Sequence, residues 1–510
     1  MSSEPLQLTG EDLTAEDVWD VAVGRRATAL APVARERMAA ARALIDGLKG
    51  EHTYGVNTGF GRFVSQHVPE ELAGELQLRL LRSHACGVGE PYPDEVVRAA
   101  MLLRANALAK GYSGAHITTV ELLLACLDGG LVPYVPARGS VGASGDLAPL
   151  AHLALPLVGE GEAWIEGQRL PGADALAAIG LQPVQLASKE GLSLINGTQF
   201  MAAMASLGIV RARRLARTAD IACAQSLEAL RGSQTSFMES IHAARPLVGQ
   251  GDSAANVRLL LEGSAIIESH RWCDKVQDAY SLRCAAQVHG ASRDLLDYVE
   301  RTVAVEVNAA TDNPLVLVDE GMIVSNGNFH GQPVAFALDA LVMAVAELAS
   351  ISERRVERLV NPSLSDGLPP FLTVEGGLNS GFMILQYVAA ALVSENKSLA
   401  HPASVDSIPT SAGQEDHVSM GNAAGLKALQ VLANVEHVLA IELLAGAQAV
   451  EFLAPLEPGR GVTAARAFIR TLSARLEDDR SLSADIERVA ASVRDGRVVA
   501  AVEAEVGELA

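Results

Sequence analysis

The chain has 510 residues, 49% of them hydrophobic, 20% charged and only 4% aromatic, with a formal net charge of -21. That acidic balance excludes nucleic acid and anionic membrane as expected partners, since both select clustered Lys and Arg. Scarce aromatics among abundant Ala, Leu and Val suit closely packed helices better than a sheet-based core, so a mainly α fold is expected.

The five cysteines, Cys86, Cys126, Cys223, Cys273 and Cys284, are odd in number and show no CxxC spacing. A reducing cytosol is therefore expected, without a disulfide framework or a structural zinc site, and scattered His and carboxylates predict no catalytic metal. The first residues, MSSEPL, show neither the basic nor the apolar region of a signal peptide. The uncharged stretch 376–394 holds three Gly, Asn379, two Ser and Gln386, too polar to span a bilayer.

In chain order, Tyr54 opens a Gly-rich segment to Gly61 (YGVNTGFG), which reads as a mobile lid carrying a phenolic oxygen or as a tight surface loop. A phosphate cradle fits less well, because no Lys-Ser/Thr follows the last glycine. Helices are predicted from Pro69 to near Gly87, from Pro93 to Gly111, and up to Gly129-Gly130, each with acidic starts or glycine stops. His84 sits near the end of the first of these, where a helix dipole favours it.

The segment Gly139–Leu150 (GSVGASGDLAPL) has two readings. In the plain one, small residues form a turn and Asp146 caps the next helix. In the other, the Gly145 nitrogen attacks the Ala143 carbonyl carbon, two waters leave, and the backbone becomes 4-methylideneimidazole-5-one. Each residue type has a chemical reason. Gly145 brings its nitrogen in without a Cβ, Ser144 supplies the hydroxyl to eliminate, and Ala143 does not crowd the ring.

Downstream, long helices are predicted at about 198–231, 332–359 and 422–452, with Asn196-Gly197 as a turn before the first. Apolar residues spread round much of their circumference, which implies burial by several neighbouring helices or subunits. Two small hairpins are expected, at 163–170 and at 315–318 with 322–324. The organisation expected is an N-terminal region (residues 1–200), a central long-helix bundle (201–455) and a C-terminal helical segment (456–510), interlocked as one unit. Gln277, Tyr280 and Arg283 are three apart, so on a helical turn they form one polar ridge, either a solvated face or a site. Phe329 among glycines reads as a core anchor, and Glu415 as an acid in the first turn of the following helix.

Six motifs change the weighing: YGVNTGFG at 54–61, the 139–150 segment, LINGT at 194–198, QDAYSLR at 277–283, SNGNFHG at 325–331 and QEDHVSM at 414–420. Together, in order from about residue 50 to 455, they resemble the aromatic amino acid ammonia-lyases, and the histidine-selective members most. The resemblance implies an ammonia-lyase/fumarase-like long-helix bundle, the cyclised Ala143-Ser144-Gly145 cofactor, and a homotetramer whose sites draw on three chains. It implies conversion of L-histidine to trans-urocanate and ammonia, a step of histidine catabolism.

The resemblance also distributes roles. Tyr54 becomes the β-proton base or its close partner, with Tyr280 the second candidate and Glu415 a further participant in proton transfer. Arg283 becomes the carboxylate clamp, a role for which a guanidinium offers two parallel donors. Asn196 supports the imidazolone or the substrate carboxylate, Phe329 packs against them, and Gln277 joins the ridge. Ser83-His84 lies where tyrosine-specific relatives have His-Leu and phenylalanine-specific ones Phe-Leu, so His84 and Glu415 point to an imidazole substrate. The rivals are a tyrosine or phenylalanine ammonia-lyase or aminomutase of the same family, and a fumarase/aspartase-like lyase with Ser144 unmodified. The GSSxMP-type loop of the latter is missing from the sequence, and a helical scaffold without activity explains none of the polar motifs.

Overall fold

Helices carry most of the chain in the computed structural model, which describes residues 4–48, 58–59 and 66–510. The longest are Gln199–Ala229, Ala285–Glu306, Gln332–Val360 and Gly421–Glu451. Gln332–Val360 and Gly421–Glu451 are long and apolar enough to cross a membrane, yet 72% and 78% of their most apolar windows are buried inside the protein. They are core helices.

The chain forms two compact units. One comprises Met1–Val210, Val299–Asp339 and Pro402–Leu426; the other comprises Arg211–Tyr298, Ala340–His401 and Lys427–Ala510. The first unit is built around Asp94–Ala109, a helix buried from Val96 to its end. Pro93 at its N-cap and Asp94 and Glu95 in its first turn start it where neither a missing N–H nor a negative charge is costly. Arg98 then donates to the carbonyls of Val21, Ala22 and Leu127 at 2.9–3.0 Å. One buried guanidinium thus satisfies the orphan ends of Ala15–Ala22 and Ile117–Asp128.

Among the described residues the strands are short and all in this unit. Leu6–Leu8 pairs in parallel with Thr28–Leu30, Val88–Pro91 pairs with Pro136–Arg138, and Val132–Pro133 extends the hairpin Glu162–Ile165/Gln168–Pro171. The second predicted hairpin is Leu315–Leu317 with Met322–Val324.

The second unit is held by a buried ionic core. Glu442 accepts from Ser226, Ser352 and Arg355, all at 2.5–2.9 Å. Asp220 accepts from Ser253, Asn256 and Arg293 and faces His289 Nδ1 at 2.7 Å. Each buried charge has its partners, which is the condition for tolerating it.

Candidate active site

The Ala143-Ser144-Gly145 triplet lies between the strand Pro136–Arg138 and the helix Leu147–Ala154 of the first unit. Its backbone is curled so that the Gly145 nitrogen is turned back onto the Ala143 carbonyl oxygen. Gly145 has φ +75°, and a Cβ there would stand 2.0 Å from the Gly197 oxygen. At Gly142, φ is +66° and a Cβ would stand 2.0 Å from Ser419 Oγ. Both positions need glycine for conformation and for space.

The triplet is gripped from behind by the turn at Asn196-Gly197. Gly197 N donates to the Ser144 carbonyl at 3.3 Å, and Asp146 N donates to the Gly197 carbonyl at 2.7 Å. Asp146 is at the N-cap position of Leu147–Ala154 but does not cap that helix with its side chain. Its Oδ2 instead accepts from Phe200 N and Met201 N, both at 3.0 Å, and its Oδ1 from Ser140 Oγ at 2.9 Å. The carboxylate caps Gln199–Ala229, a different helix, because that is where orphan amides face it. Burial raises its pKa to about 6, against the amides of Met201 and Phe200 and the Ser140 hydroxyl, which hold it down.

Ser144 is half-buried between buried Ala143 and Gly145. Its hydroxyl donates to Glu415 Oε1 at 3.2 Å, while Thr410 Oγ1 donates to Glu415 Oε2 at 2.7 Å. Glu415 is six residues ahead of Gly421–Glu451, so it is not in that helix's first turn. It closes a small loop by pairing its backbone with Thr410, and this aims the carboxylate at Ser144. His84 ends Ala73–His84, with Nδ1 2.9 Å from the Leu80 carbonyl. Burial pushes its pKa below the ordinary value, opposed by that carbonyl and by the charge of nearby Glu415. Ser144, Glu415 and His84 therefore share one neighbourhood.

Asn196 follows Glu190–Ile195 and is 2% exposed. Its Nδ2 donates to the Asn313 carbonyl at 3.3 Å, and its Oδ1 is buried without a partner. Phe329 is half-buried in the 325–331 loop. The neighbouring His330 ring stacks on His417 with centroids 5.8 Å apart.

The ridge residues belong to the second unit. Tyr280–Arg283 is a single helical turn, and Gln277 precedes it outside any helix or strand, so only Tyr280 and Arg283 share the turn. Arg283 Nε donates to the Asp278 carbonyl at 2.9 Å, and its guanidinium lies 4.6 Å from the Tyr280 ring centroid. Among the described residues no other acceptor takes the rest of the fork. Tyr54, Gly55 and Gly61 lie outside the described residues. Among the described residues no group of three His, Cys, Asp or Glu could hold a metal ion.

Sequence reasoning gave no role to Thr410 or Arg104 and read the wrong one for Asp146. Thr410 and Arg104 fall outside the six motifs. The cap at Asp146 was visible as a residue type, but nothing in the sequence tells which helix receives it.

A family model described as aromatic amino acid lyase matches residues 13–471. Histidine ammonia-lyase of Gloeobacter violaceus is 55% identical over 506 residues, covering 99% of this chain and 98% of that protein. The enzyme of the same name from Anaeromyxobacter dehalogenans is 57% identical over 504 residues, covering 97% and 99%. Among solved structures, histidine ammonia-lyase of Trypanosoma cruzi superposes with a TM-score of 0.92 at 44% identity, covering 99% and 96%. Tyrosine aminomutase of Streptomyces globisporus gives 0.94 at 37%, covering 99% and 100%.

Proposed function

The chain belongs to the aromatic amino acid lyase family, and from that premise we propose that it eliminates ammonia from L-histidine to give trans-urocanate, using an electrophile cyclised from Ala143-Ser144-Gly145. It is a carbon–nitrogen lyase. The fold does not separate ammonia-lyase from aminomutase, since an aminomutase shares it; the relatives' names and the pair His84 and Glu415 support the histidine reading.

The residues present fit the cyclised group. The triplet is already curled nitrogen onto carbonyl, no Cβ blocks Gly145, and Gly197 N already donates to the Ser144 carbonyl that would become the ring oxygen. When formed, the group would supply an electrophile to capture the substrate amine or ring, which makes either the leaving group better or the β-proton more acidic. Gly197 N would hold its ring oxygen, with the Asn196 amide in support, and loss of the Ser144 hydroxyl would leave Glu415 Oε1 without that donor.

The rest falls to side chains. Arg283 clamps the substrate carboxylate, with the Asp278 carbonyl fixing its Nε end. His84, kept neutral at pH 7 by burial, offers an imidazole hydrogen bond to the substrate ring, and Glu415 balances positive charge there. Tyr54 removes the β-proton, or Tyr280 or Glu415 does.

A homotetramer with shared sites belongs to the same reading. Trp272, Val276 and Tyr280 are 89%, 96% and 71% exposed in the single chain, an apolar stretch that further copies would cover. The five cysteines are all free, as a reducing cytosol would keep them.

The observation that carries the proposal is the curled triplet with Ser144 hydrogen-bonded to Glu415. Its test is the tryptic peptide Gly139–Arg169, which has no internal Lys or Arg. In active enzyme its mass should fall short of its sequence by two waters, and Ser144→Ala should remove turnover without unfolding the chain. An unmodified peptide from active enzyme would eliminate the internal cofactor.

A further inference from the structure

The cyclisation has to use a weak nucleophile, because the Gly145 nitrogen is tied up in resonance with the Ser144 carbonyl. Any group that draws negative charge onto the Ser144 oxygen stabilises the nitrogen's deprotonated form and lets it attack. In the structure that oxygen accepts from Gly197 N at 3.3 Å. The same peptide, on its other side, has its Asn196 carbonyl bonded by Arg104 Nη2 at 2.7 Å.

Arg104 is in Asp94–Ala109, is 0% exposed, and also donates to the Ser193 carbonyl at 2.9 Å and to Gln199 Oε1. Burial lowers its pKa to about 10, with Asp312 and Asp146 opposing, so it keeps its charge at neutral pH. Its closest acceptors here are neutral carbonyl oxygens, so its charge is not cancelled within its own hydrogen bonds. A cation on a peptide oxygen makes the N–H at the other end of that peptide a stronger donor, since hydrogen bonds in series polarise one another.

We propose that Arg104 is a positioning residue for cofactor formation: through the Asn196-Gly197 peptide it polarises the Ser144 carbonyl and so promotes attack by Gly145 N on Ala143 C. The step balances without any oxidant. The Gly145 N–Ala143 C bond forms as the Ala143 C=O π bond breaks. That oxygen leaves as water with the protons of Gly145 N and Ser144 N, creating the ring C=N. The second water takes the Ser144 hydroxyl and its Cα proton.

This inference rests on the cyclised triplet proposed above. Its test follows the mass of the Gly139–Arg169 peptide over time after cell-free synthesis of the full chain, with circular dichroism and thermal midpoint measured on the same samples. Removing a preorganised donor that acts directly costs about a hundredfold; acting through one intervening peptide, Arg104→Met should slow loss of the two waters by roughly tenfold. Arg104→Lys, which keeps a cation near the Asn196 oxygen, should recover much of the rate. Gln199→Glu leaves the guanidinium in place and sets a carboxylate against it, so it too should slow cyclisation while the fold is kept.

Cyclisation at the parent rate in folded Arg104→Met would overturn the proposal. If that variant does not fold, parent-rate cyclisation in Gln199→Glu overturns it instead. A parent peptide lacking the two-water deficit would sink the cofactor reading itself, whereas a normal parent with unaffected variants removes only the role of Arg104.

Discussion

Replacing Glu228 with Gln should stabilise the protein at alkaline pH and leave it nearly unchanged in acid. Glu228 is fully buried near the end of Gln199–Ala229, and its Oε1 accepts from Gly459 N at 2.8 Å. Burial raises its pKa from 4.5 to about 7, only partly offset by the Ser264 hydroxyl, the Gly459 amide and the charge of Arg466. Between those values the folded chain holds a proton that the unfolded chain has released. Stability therefore falls as pH rises through this window, and the loss is complete above about pH 8. A displacement of about 2.5 pH units, at about 1.36 kcal/mol each, comes to about 3 kcal/mol. Glutamine keeps the acceptor for Gly459 and carries no charge. Urea unfolding of parent and Glu228→Gln at pH 5 and pH 8.5 measures the difference of differences, which should favour the variant at the higher pH alone. An equal gap at both pH values would refute the argument that a buried carboxylate is being ionised.

Three further outcomes concern the site. His84→Leu should lower the histidine-to-tyrosine ratio of kcat/KM by about tenfold or more, since a half-buried imidazole partner is lost; faster turnover of tyrosine by the parent would show the pocket to be misread. Arg283→Lys should cost about ten- to a hundredfold in kcat/KM for want of a bidentate fork, and Tyr54→Phe should cripple β-proton loss; normal turnover of the latter passes the base role to Tyr280 or Glu415. Ser144→Ala and Arg283→Ala should each be inactive, yet mixed tetramers of the two should regain activity; a fully active monomer in sedimentation, with no regain on mixing, would defeat shared sites.

What could be read in advance depended on whether the signal was local. Pro93 with Asp94 and Glu95, and Gly129 with Gly130, mark helix ends by chemistry confined to a turn, and those ends fall where expected. The long runs at 199–229, 332–360 and 421–451 are legible for the same reason, their length and apolarity being properties of the segment itself. Leu6–Leu8 with Thr28–Leu30 is not, because three residues carry no period and a parallel pair leaves no hairpin turn to see. At the site, the resemblance pointed to Ser144, His84 and Glu415, but not to Glu415 lying in a closed loop rather than a helical turn. The support behind them was invisible. Arg104 occupies an ordinary helical position, and only the fold brings it to the Asn196 carbonyl across 92 residues of sequence.

The cap that Asp146 lends to Gln199–Ala229 joins the reactive triplet to a segment 54 residues further on. A chain made only as far as residue 195, or cut there, has neither the amides that draw the carboxylate in nor the Gly197 peptide that grips the triplet. Curling of the loop is thus conditional on tertiary structure, and so is any alkylating group made from it. Misfolded or truncated copies would remain chemically harmless to the thiols around them, and a two-water mass deficit doubles as a certificate that the molecule carrying it once reached its native state.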